Sequence, residues 1–455
     1  MTRFAGQRVV VIGLGASGVA AARVLAEEGA EVRVSERRTH SELGNLEALR
    51  DLDVEIRAGG NEEAHLEGAT LVVASPGVPE RAPIVEAAQR RRLPVWSELE
   101  LGARLCSVPY VAVTGTNGKS TTTEMVAAAM RAAGLDAVAC GNIGHPFSLA
   151  AREDHDALAL EASSFQLRFH ESLHPRVSVL LNLAPDHLDW HGSMDRYAEA
   201  KARIFERQGR GDAHVGNRDD AHAAVLSSRA PCQLVWFRLE EPAAGEVGYE
   251  GDILVSRLGD AVELGIPAGA GAGFRADAAA AAAATLAFGL EPGAVRDGIG
   301  SVRPLPHRGD VVAMAGSVRF VDDSKATNPH AALAALSGLR GAVLVAGGLS
   351  KGVDLSPLAS AAPSLAGVVV LGEAGPEIAA LFEGVVPVRK AGSIEEAAEL
   401  GLELAPPDGT VLLAPACASQ DMFHDYAERG DRFAAAARAL EEPASGSPDQ
   451  DNPHG

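Results

Sequence analysis

The sequence predicts an α/β protein of three domains built on open, mostly parallel sheets. Short apolar runs recur along the chain, they show little alternation, and each gives way to small or polar residues and then a helix-like segment. Strands covered on both faces by crossover helices read in this way, because neither face is left to water. The runs fall at 8–12, 31–34, 70–74, 110–113, 157–160, 177–183, 318–321, 342–346, 367–371 and 410–413. Helical segments lie between them, for example 18–28 and 121–133. The alanine run 276–284 continues into Thr285-Leu-Ala-Phe288 and reads as a packed helix, since alanine is the best helix former.

A chain of 455 residues suggests three domains at about 150 residues each. The stretch Arg92-Leu-Pro-Val-Trp-Ser97 precedes a second glycine-rich turn, and Pro304-Leu-Pro306 is a rigid break. The expected boundaries are therefore 1–97, 98–304 and 305–440, with linkers near Trp96 and Pro304. Residues 441–455 have nothing to bury and are expected to be a disordered tail.

Hydrophobic residues at 47% and charged residues at 22% fit a soluble protein with a sizeable core. Forty Lys and Arg against 61 Asp and Glu give a net charge of −21, which repels nucleic-acid phosphates and anionic lipid. A local cationic pocket for a phosphorylated small molecule remains open. No signal-peptide pattern and no membrane-length apolar run is found. Cys106, Cys140, Cys232 and Cys417 are scattered, as reduced thiols of a cytoplasmic protein would be. A monomer without nucleic-acid partners or membrane insertion is expected.

Two glycine-rich turns carry chemistry. Gly13-Leu-Gly15-Ala-Ser-Gly18 follows a strand, opens a helix, and has Glu36 at the end of the next strand. This is a dinucleotide fingerprint, in which glycines let the backbone approach a pyrophosphate at a helix N-terminus. Taken alone it fits NAD, another nucleotide or close strand-to-helix packing. The second turn, Thr114-Gly115-Thr116-Asn117-Gly118-Lys119-Ser120-Thr121, is the stronger signal. Its N–H groups can cradle phosphates, Lys119 can reach the β/γ region, and the Ser120 hydroxyl can ligate Mg²⁺. Only two residues separate its glycines, where a standard P-loop has four. An ATP site is expected here, with Lys119 as the one cation of the turn.

Several further stretches resemble the Mur ligases, ATP-dependent amide-forming enzymes of peptidoglycan precursor synthesis related to folylpolyglutamate synthetase. Besides the lysine-containing turn these are Gly141-Asn-Ile-Gly144, Glu161-Ala-Ser-Ser-Phe-Gln166, Asp186-His187-Leu-Asp189 and Lys201-Ala-Arg-Ile-Phe205. Within the family, Leu305-Pro-His-Arg308, Asp322-Asp-Ser-Lys-Ala-Thr-Asn328 and Ala414-Pro-Ala-Cys-Ala-Ser-Gln-Asp421 are similar to the D-glutamate-adding member. The resemblance implies a Rossmann-like UDP-binding domain, a central P-loop-type ATPase domain and a Rossmann-like C-terminal domain that closes over ATP and glutamate. It implies the substrates UDP-N-acetylmuramoyl-L-alanine, D-glutamate and ATP, with two Mg²⁺ ions and no nicotinamide.

Residue roles follow from the same resemblance. Gly15, Ala16, Ser17, Glu36, Arg38, Ser75, Gly77, Asn142 and His187 are expected to bind the UDP substrate. Residues 115–121 with Asp277, Arg308, Asp323 and Lys325 would bind ATP. Ser120 and Glu161 would hold one Mg²⁺, while His187 and Lys201, the latter as a carbamate, would serve the second. Thr327, Lys351, Ser419 and Tyr426 would take the glutamate. The family's His-Asn pair and following Asn, on the adenine side of ATP, correspond to Gly273-Phe-Arg-Ala-Asp277 here, where Asp277 replaces the second Asn. The competing expectations are another ligase of the superfamily, a nucleotide-binding regulator and an oxidoreductase.

Overall fold

The structure, a computed structural model, describes residues 3–44, 46–265, 271–303 and 306–441. The Pro304 break falls outside these residues. Of the expected tail only Glu441 is described, and its carboxylate accepts the Met314 N–H at 2.9 Å.

Three sheets are formed. The first comprises β1 (Arg8–Ile12), β2 (Glu31–Glu36), β3 (Val54–Ala58), β4 (Leu71–Ala74) and β5 (Val95–Ser97), all parallel, in the order β3-β2-β1-β4-β5. The second comprises β6 (Tyr110–Thr114), β7 (Ala137–Gly141), β8 (Ala157–Glu161), β9 (Val177–Leu180), β10 (Ala213–Asn217), β11 (Gln233–Phe237), β12 (Glu246–Glu250), β13 (Ile253–Ser256) and β14 (Val262–Glu263). Its order is β14-β13-β12-β11-β10-β9-β6-β8-β7, and only the β12-β13-β14 meander is antiparallel. The third comprises β15 (Asp310–Ala315), β16 (Val318–Asp322), β17 (Ala342–Gly347), β18 (Leu365–Leu371), β19 (Val388–Lys390) and β20 (Thr410–Leu413), in the order β15-β16-β20-β17-β18-β19. Its one antiparallel pair is the hairpin β15-β16.

Contacts gather the chain into two compact units, one of Met1–Ala184 and Leu188–Arg303, the other of Pro185–His187 and Pro304–Gly455. Within the first unit, the linker expected near Trp96 is not a linker. Trp96 is buried in β5, and the Ser97 hydroxyl accepts the Glu100 N–H to cap the helix Glu98–Leu105 directly. One apolar cluster contains Val9, Val11 and Leu25 beside the first sheet and Leu99, Tyr110, Phe147 and Leu180 beside the second. Separating the two sheets would expose that shared core at roughly 25 cal/mol per Å², so they form one body.

On its other face the second sheet is covered by the helix Ala272–Phe288, and Ala278 to Ala284 are all fully buried there. Methyl side chains let this helix run close to the sheet and to the helix Lys119–Ala132. The helix Pro292–Ser301 comes equally close: a Cβ on Gly298 would collide with the Ala129 backbone. The alanine run is thus a packing solution for a crowded layer.

Candidate active site

In a parallel sheet, ligands gather at the carboxyl ends of the strands. Here β6, β7, β8 and β9 end together, because Val113 and Gly141 are both register partners of Glu161 and Thr114 is the partner of Leu180. The turn 114–121 leaves β6 at that edge and opens the helix Lys119–Ala132, whose N-cap Gly118 offers no side chain and adopts φ +85°. The N–H groups at a helix start favour an anion.

The turn is braced before any ligand arrives. Asn182 Oδ1 accepts the N–H groups of Thr116 at 3.1 Å and Asn117 at 2.8 Å, and its Nδ2 donates to the Asn117 carbonyl at 3.2 Å. The Thr116 hydroxyl lies 3.1 Å from the Tyr197 hydroxyl and accepts the Ala184 N–H at 3.0 Å. Lys119 Nζ donates to the carbonyls of Gly115 at 3.1 Å and Thr116 at 2.9 Å. Lys119 is not the only amine at the turn, contrary to expectation. Lys201, buried at 1% exposure, donates to the same Gly115 carbonyl at 2.6 Å and lies 4.6 Å from the centre of the Tyr197 ring.

Glu161 is the last residue of β8 and is buried. Its Oε1 accepts from Asn142 Nδ2 at 2.8 Å, while Oε2 is buried with no hydrogen-bond partner. A buried carboxylate oxygen without a donor is costly unless a cation or water completes it. Among the described residues no group of three or more His, Cys, Asp or Glu could cage a metal. The half-completed Glu161 carboxylate fits Mg²⁺, which takes one or two carboxylates and fills its octahedron with phosphate oxygens and water.

Two further site residues are placed as follows. Asp277, expected on the adenine side, brings its carboxylate close to Gly118: a Cβ on Gly118 would collide with Asp277 Oδ1. His187, expected to serve a second Mg²⁺ with Lys201, is grouped by contacts with Pro185 and Asp186 in the second unit, where Asn328 Nδ2 donates to Asp186 Oδ2 at 3.3 Å. His187 has φ +54°, and its own N–H is held by Asp186 Oδ1 at 2.9 Å.

At the first sheet, Gly13 adopts φ +88°, and a side chain on Gly18 would collide with the Gly13 carbonyl, so both glycines are sterically required. Gly15 is the N-cap of the helix Ala16–Glu27 and leaves its first N–H groups without a side-chain cap, which places Ala16 and Ser17 in an anion-accepting turn. Ser75 Oγ donates to the Gly13 carbonyl at 3.0 Å, and Gly77 is exposed two residues beyond. Glu36 Oε2 accepts the Leu14 N–H at 2.6 Å and pairs with Arg38 Nη2 at 3.0 Å, which braces the turn. Burial raises the Glu36 carboxyl, but the Arg38 guanidinium and the Arg38 and Leu14 N–H groups outweigh it and hold the group down at about 2.

In the second unit, β16, β17 and β20 also end together, with Asp322 and Val345 both register partners of Leu413. The loops that follow carry Asp323, Lys325 and Thr327, then Lys351, then Ser419. The Ala416 N–H donates to Ala326 at 2.9 Å and a Leu349–Ala418 bridge joins the other two loops. Arg429, 1% exposed, clamps this edge: its guanidinium donates to Ser324 Oγ and the Ser324 carbonyl, both at 2.9 Å, and to the Cys417 carbonyl at 3.2 Å. The Lys325 ammonium lies 3.6 Å from the centre of the Tyr426 ring, and Ser419 Oγ is buried with no partner. Burial, reinforced by Asp322 and Asp310 against the pull of Arg308, raises the Asp323 carboxyl to about 7.

Asn182, Tyr197 and Arg429 were not singled out from sequence. Asn182 had a signal, as the one amide inside the run 177–183, where Ser178 is the other polar residue; Tyr197 and Arg429 sit in ordinary helical patterns.

Comparison with known proteins gives a consistent picture. Residues 7–97 match the Mur ligase MurD-like N-terminal domain, 113–266 the Mur ligase middle domain, and 307–417 the Mur ligase glutamate ligase domain. The UDP-N-acetylmuramoylalanine–D-glutamate ligase of Frankia casuarinae is 42% identical over 451 residues, covering 96% of this chain and 95% of that protein. The enzyme of the same name from Streptomyces avermitilis is 41% identical over 474 residues, covering 97% and 100%. Among solved structures, MurF from Acinetobacter baumannii superimposes with a TM-score of 0.61 at 17% identity, over 95% of this chain and 91% of that one. FolC of E. coli bound to ADP gives 0.55 at 20% identity, over 74% and 91%, and shares the fold. The chain belongs to the Mur ligase family, in the branch of the UDP-N-acetylmuramoylalanine–D-glutamate ligases.

Proposed function

We propose that this chain joins D-glutamate to UDP-N-acetylmuramoyl-L-alanine with ATP, through an acyl phosphate, using the residues assembled at the carboxyl edges of its sheets. The observation that carries the reading is the braced turn 114–121, with two amines on the Gly115 carbonyl and a half-satisfied carboxylate, Glu161, at the end of a neighbouring strand.

A carboxylate is a poor electrophile, so amide formation needs activation. The substrate carboxylate attacks the γ-phosphate, ADP leaves, the amine of glutamate attacks the acyl phosphate, and the tetrahedral intermediate expels phosphate. Phosphoryl transfer of this kind is carried mainly by positioning and charge neutralisation. The N–H groups of residues 115–121 hold the phosphates and Lys119 neutralises them. Arg308, Asp323, Lys325 and Asp277 complete the ATP site. Ser120 and Glu161 would hold one Mg²⁺, and His187 with a carbamate on Lys201 a second. The ions supply charge neutralisation at the phosphate oxygens. The Gly13–Gly18 turn with Glu36, Arg38, Ser75, Gly77 and Asn142 orients the UDP substrate. Lys351, Thr327 and Ser419 bind the two carboxylates of glutamate against Tyr426.

The chain is read as a cytoplasmic monomer with domains at 1–97, 98–304 and 305–440. Among the described residues no helix is long and apolar enough to cross a membrane. The test is phosphate release that requires UDP-N-acetylmuramoyl-L-alanine, D-glutamate and Mg²⁺ together. No release with all present, or a preference for another amino acid over D-glutamate, rejects the reading.

A further inference from the structure

We propose that Glu98 is a positioning residue for Glu161, acting from the side of the first sheet through the loop 141–146 and its Asn142. The inference rests on the reading of Glu161 as a Mg²⁺ ligand and adds a residue which that reading does not include.

Glu98 opens the helix Glu98–Leu105 directly after β5 and is 1% exposed. Its Oε1 accepts the N–H of Ser148, fifty residues further on, at 2.6 Å. Ser148 is the second residue of the short helix Phe147–Ala150, whose N-cap Pro146 provides no side-chain acceptor. Glu98 thus supplies from outside the cap that the local sequence lacks. The two helices are pressed together there, since a Cβ on Gly102 would collide with the Phe147 ring.

The loop held at this point leads straight to Glu161. It leaves β7 at Gly141, where a Cβ would collide with the Glu161 carbonyl. The Gly141 N–H donates to the His145 carbonyl at 2.8 Å and closes the loop on itself. The Asn142 N–H donates to the Glu161 carbonyl at 3.0 Å, and its Nδ2 donates to Glu161 Oε1 at 2.8 Å. Asn142 therefore sets the rotation of the Glu161 carboxylate and leaves Oε2 for a cation. Groups that orient a metal ligand matter to affinity nearly as much as the ligand does. With the loop fixed at β7 and at Ser148, the amide is held in one orientation. Without Glu98 the second end loses its polar anchor.

Stability does not account for a carboxyl in this place. Burial raises the Glu98 carboxyl against the pull of the Ser148 N–H and His145, and its Oε2 is buried with no hydrogen-bond partner. An apolar side chain of similar volume would avoid that cost. What leucine cannot do is accept the Ser148 N–H.

The test is Mn²⁺ binding in the presence of ADP, read by paramagnetic resonance, with phosphate release against Mg²⁺ concentration measured beside it. It compares the full chain with its Glu98→Gln and Glu98→Leu variants well below their melting temperatures. Glu98→Gln keeps the acceptor and the shape and is expected to match the unaltered chain. Glu98→Leu is expected to bind Mn²⁺ on the order of tenfold more weakly and to need correspondingly more Mg²⁺ for half-maximal rate. Asn142→Ala should weaken Mn²⁺ binding to a like degree, and adding Glu98→Leu to it should cost nothing more, because both act through one amide. Should Glu98→Leu fail to fold, Glu98→Met takes its place. Unchanged affinity in Glu98→Leu or in Asn142→Ala, equal losses in Glu98→Leu and Glu98→Gln, or losses that multiply in the double variant each overturn the proposal. Absence of Mn²⁺ binding by the unaltered chain with ADP present would bring down the reading of Glu161, and this inference with it.

Discussion

Truncating Lys201 to alanine separates two chemical states of one buried side chain. As an ammonium, Lys201 makes a charge-assisted hydrogen bond to the Gly115 carbonyl, worth about 1.5–3 kcal/mol, and a cation–π contact with Tyr197, worth about 0.5–2 kcal/mol. Losing both would destabilise the folded chain by roughly 2–5 kcal/mol. As a carbamate, formed from the neutral amine and CO₂ with release of a proton, the nitrogen keeps one hydrogen. The Gly115 bond therefore survives, and the new carboxylate supplies a hard oxygen ligand of the kind Mg²⁺ prefers. The two states predict different behaviour. If the ammonium is the working form, Lys201→Arg retains activity and small carboxylates do nothing for Lys201→Ala. If the carbamate is the working form, Lys201→Ala and Lys201→Arg both lose activity on the order of a hundred- to thousandfold. Acetate then restores part of it in the alanine variant, and the unaltered enzyme slows in CO₂-depleted buffer. Steady-state phosphate release with an acetate series is the assay, and the carbamate outcome is expected. Full activity in Lys201→Ala, or the absence of both acetate rescue and CO₂ dependence, refutes it.

Other perturbations address neighbouring parts of the same edge. Lys119→Ala removes a charge about 4 Å from the phosphates, worth about 4 kcal/mol at an effective dielectric of about 20; kcat/KM for ATP should fall on the order of a thousandfold, the melting temperature should drop as its bonds to the Gly115 and Thr116 carbonyls are lost, and a kinetic loss under tenfold would remove Lys119 from phosphate neutralisation. Gly118→Ala forces alanine into φ +85° and its Cβ into Asp277, so it should cost at least 1–2 kcal/mol in denaturant unfolding, and Asp277→Gly in the same chain should recover part of that loss. Asp323 has a folded-state carboxyl raised from 3.8 to about 7, so the folded chain binds the extra proton between those values. Its contribution to stability is therefore present at acidic pH and lost as pH rises through about 7. Asp323→Asn should flatten that fall, and identical pH–stability curves for the two chains would show that the group does not titrate there.

The sequence made most of the central strands legible and the edges of the sheets less so, although β10 and β11, parallel strands inside the second sheet, also went unread. A central strand such as β1 or β17 is apolar on both faces and stands out from its neighbours, whereas β12, Glu246-Val-Gly-Tyr-Glu250, has no such run. The meander β12-β13-β14 and β15 of the hairpin β15-β16 went unread, although Ile253-Leu-Val255 and Val311-Val-Ala-Met-Ala315 are apolar runs. Three strand ends were placed too early, while the run 177–183 overshoots β9, which ends at Leu180. β2 runs on to Glu36, β8 to Glu161 and β16 to Asp322, each one or two residues past the last apolar side chain. Hydrophobicity marks where a strand is covered, while these carboxylates extend it to the edge where ligands bind.

The candidate site divides along a similar line. The turn 114–121 is local, so its glycines and lysine could be read from spacing alone. The groups that hold it come from far along the chain: Asn182 from the end of β9, and Tyr197 and Lys201 from the helix Met194–Ala202. No local pattern distinguishes a buried lysine from a solvated one on such a helix, and resemblance alone drew attention to Lys201. Asp277 marks the opposite limit. Its position was noticed, but only the fold reveals that the carboxylate rests on Gly118. The close layer of alanine side chains in the helix Ala272–Phe288 has a consequence beyond packing. A helix with larger side chains would stand further from the helix Lys119–Ala132, and Asp277 would then stand away from the turn. The stretch that looked least informative in the sequence thereby sets how close Asp277 comes to its most informative motif.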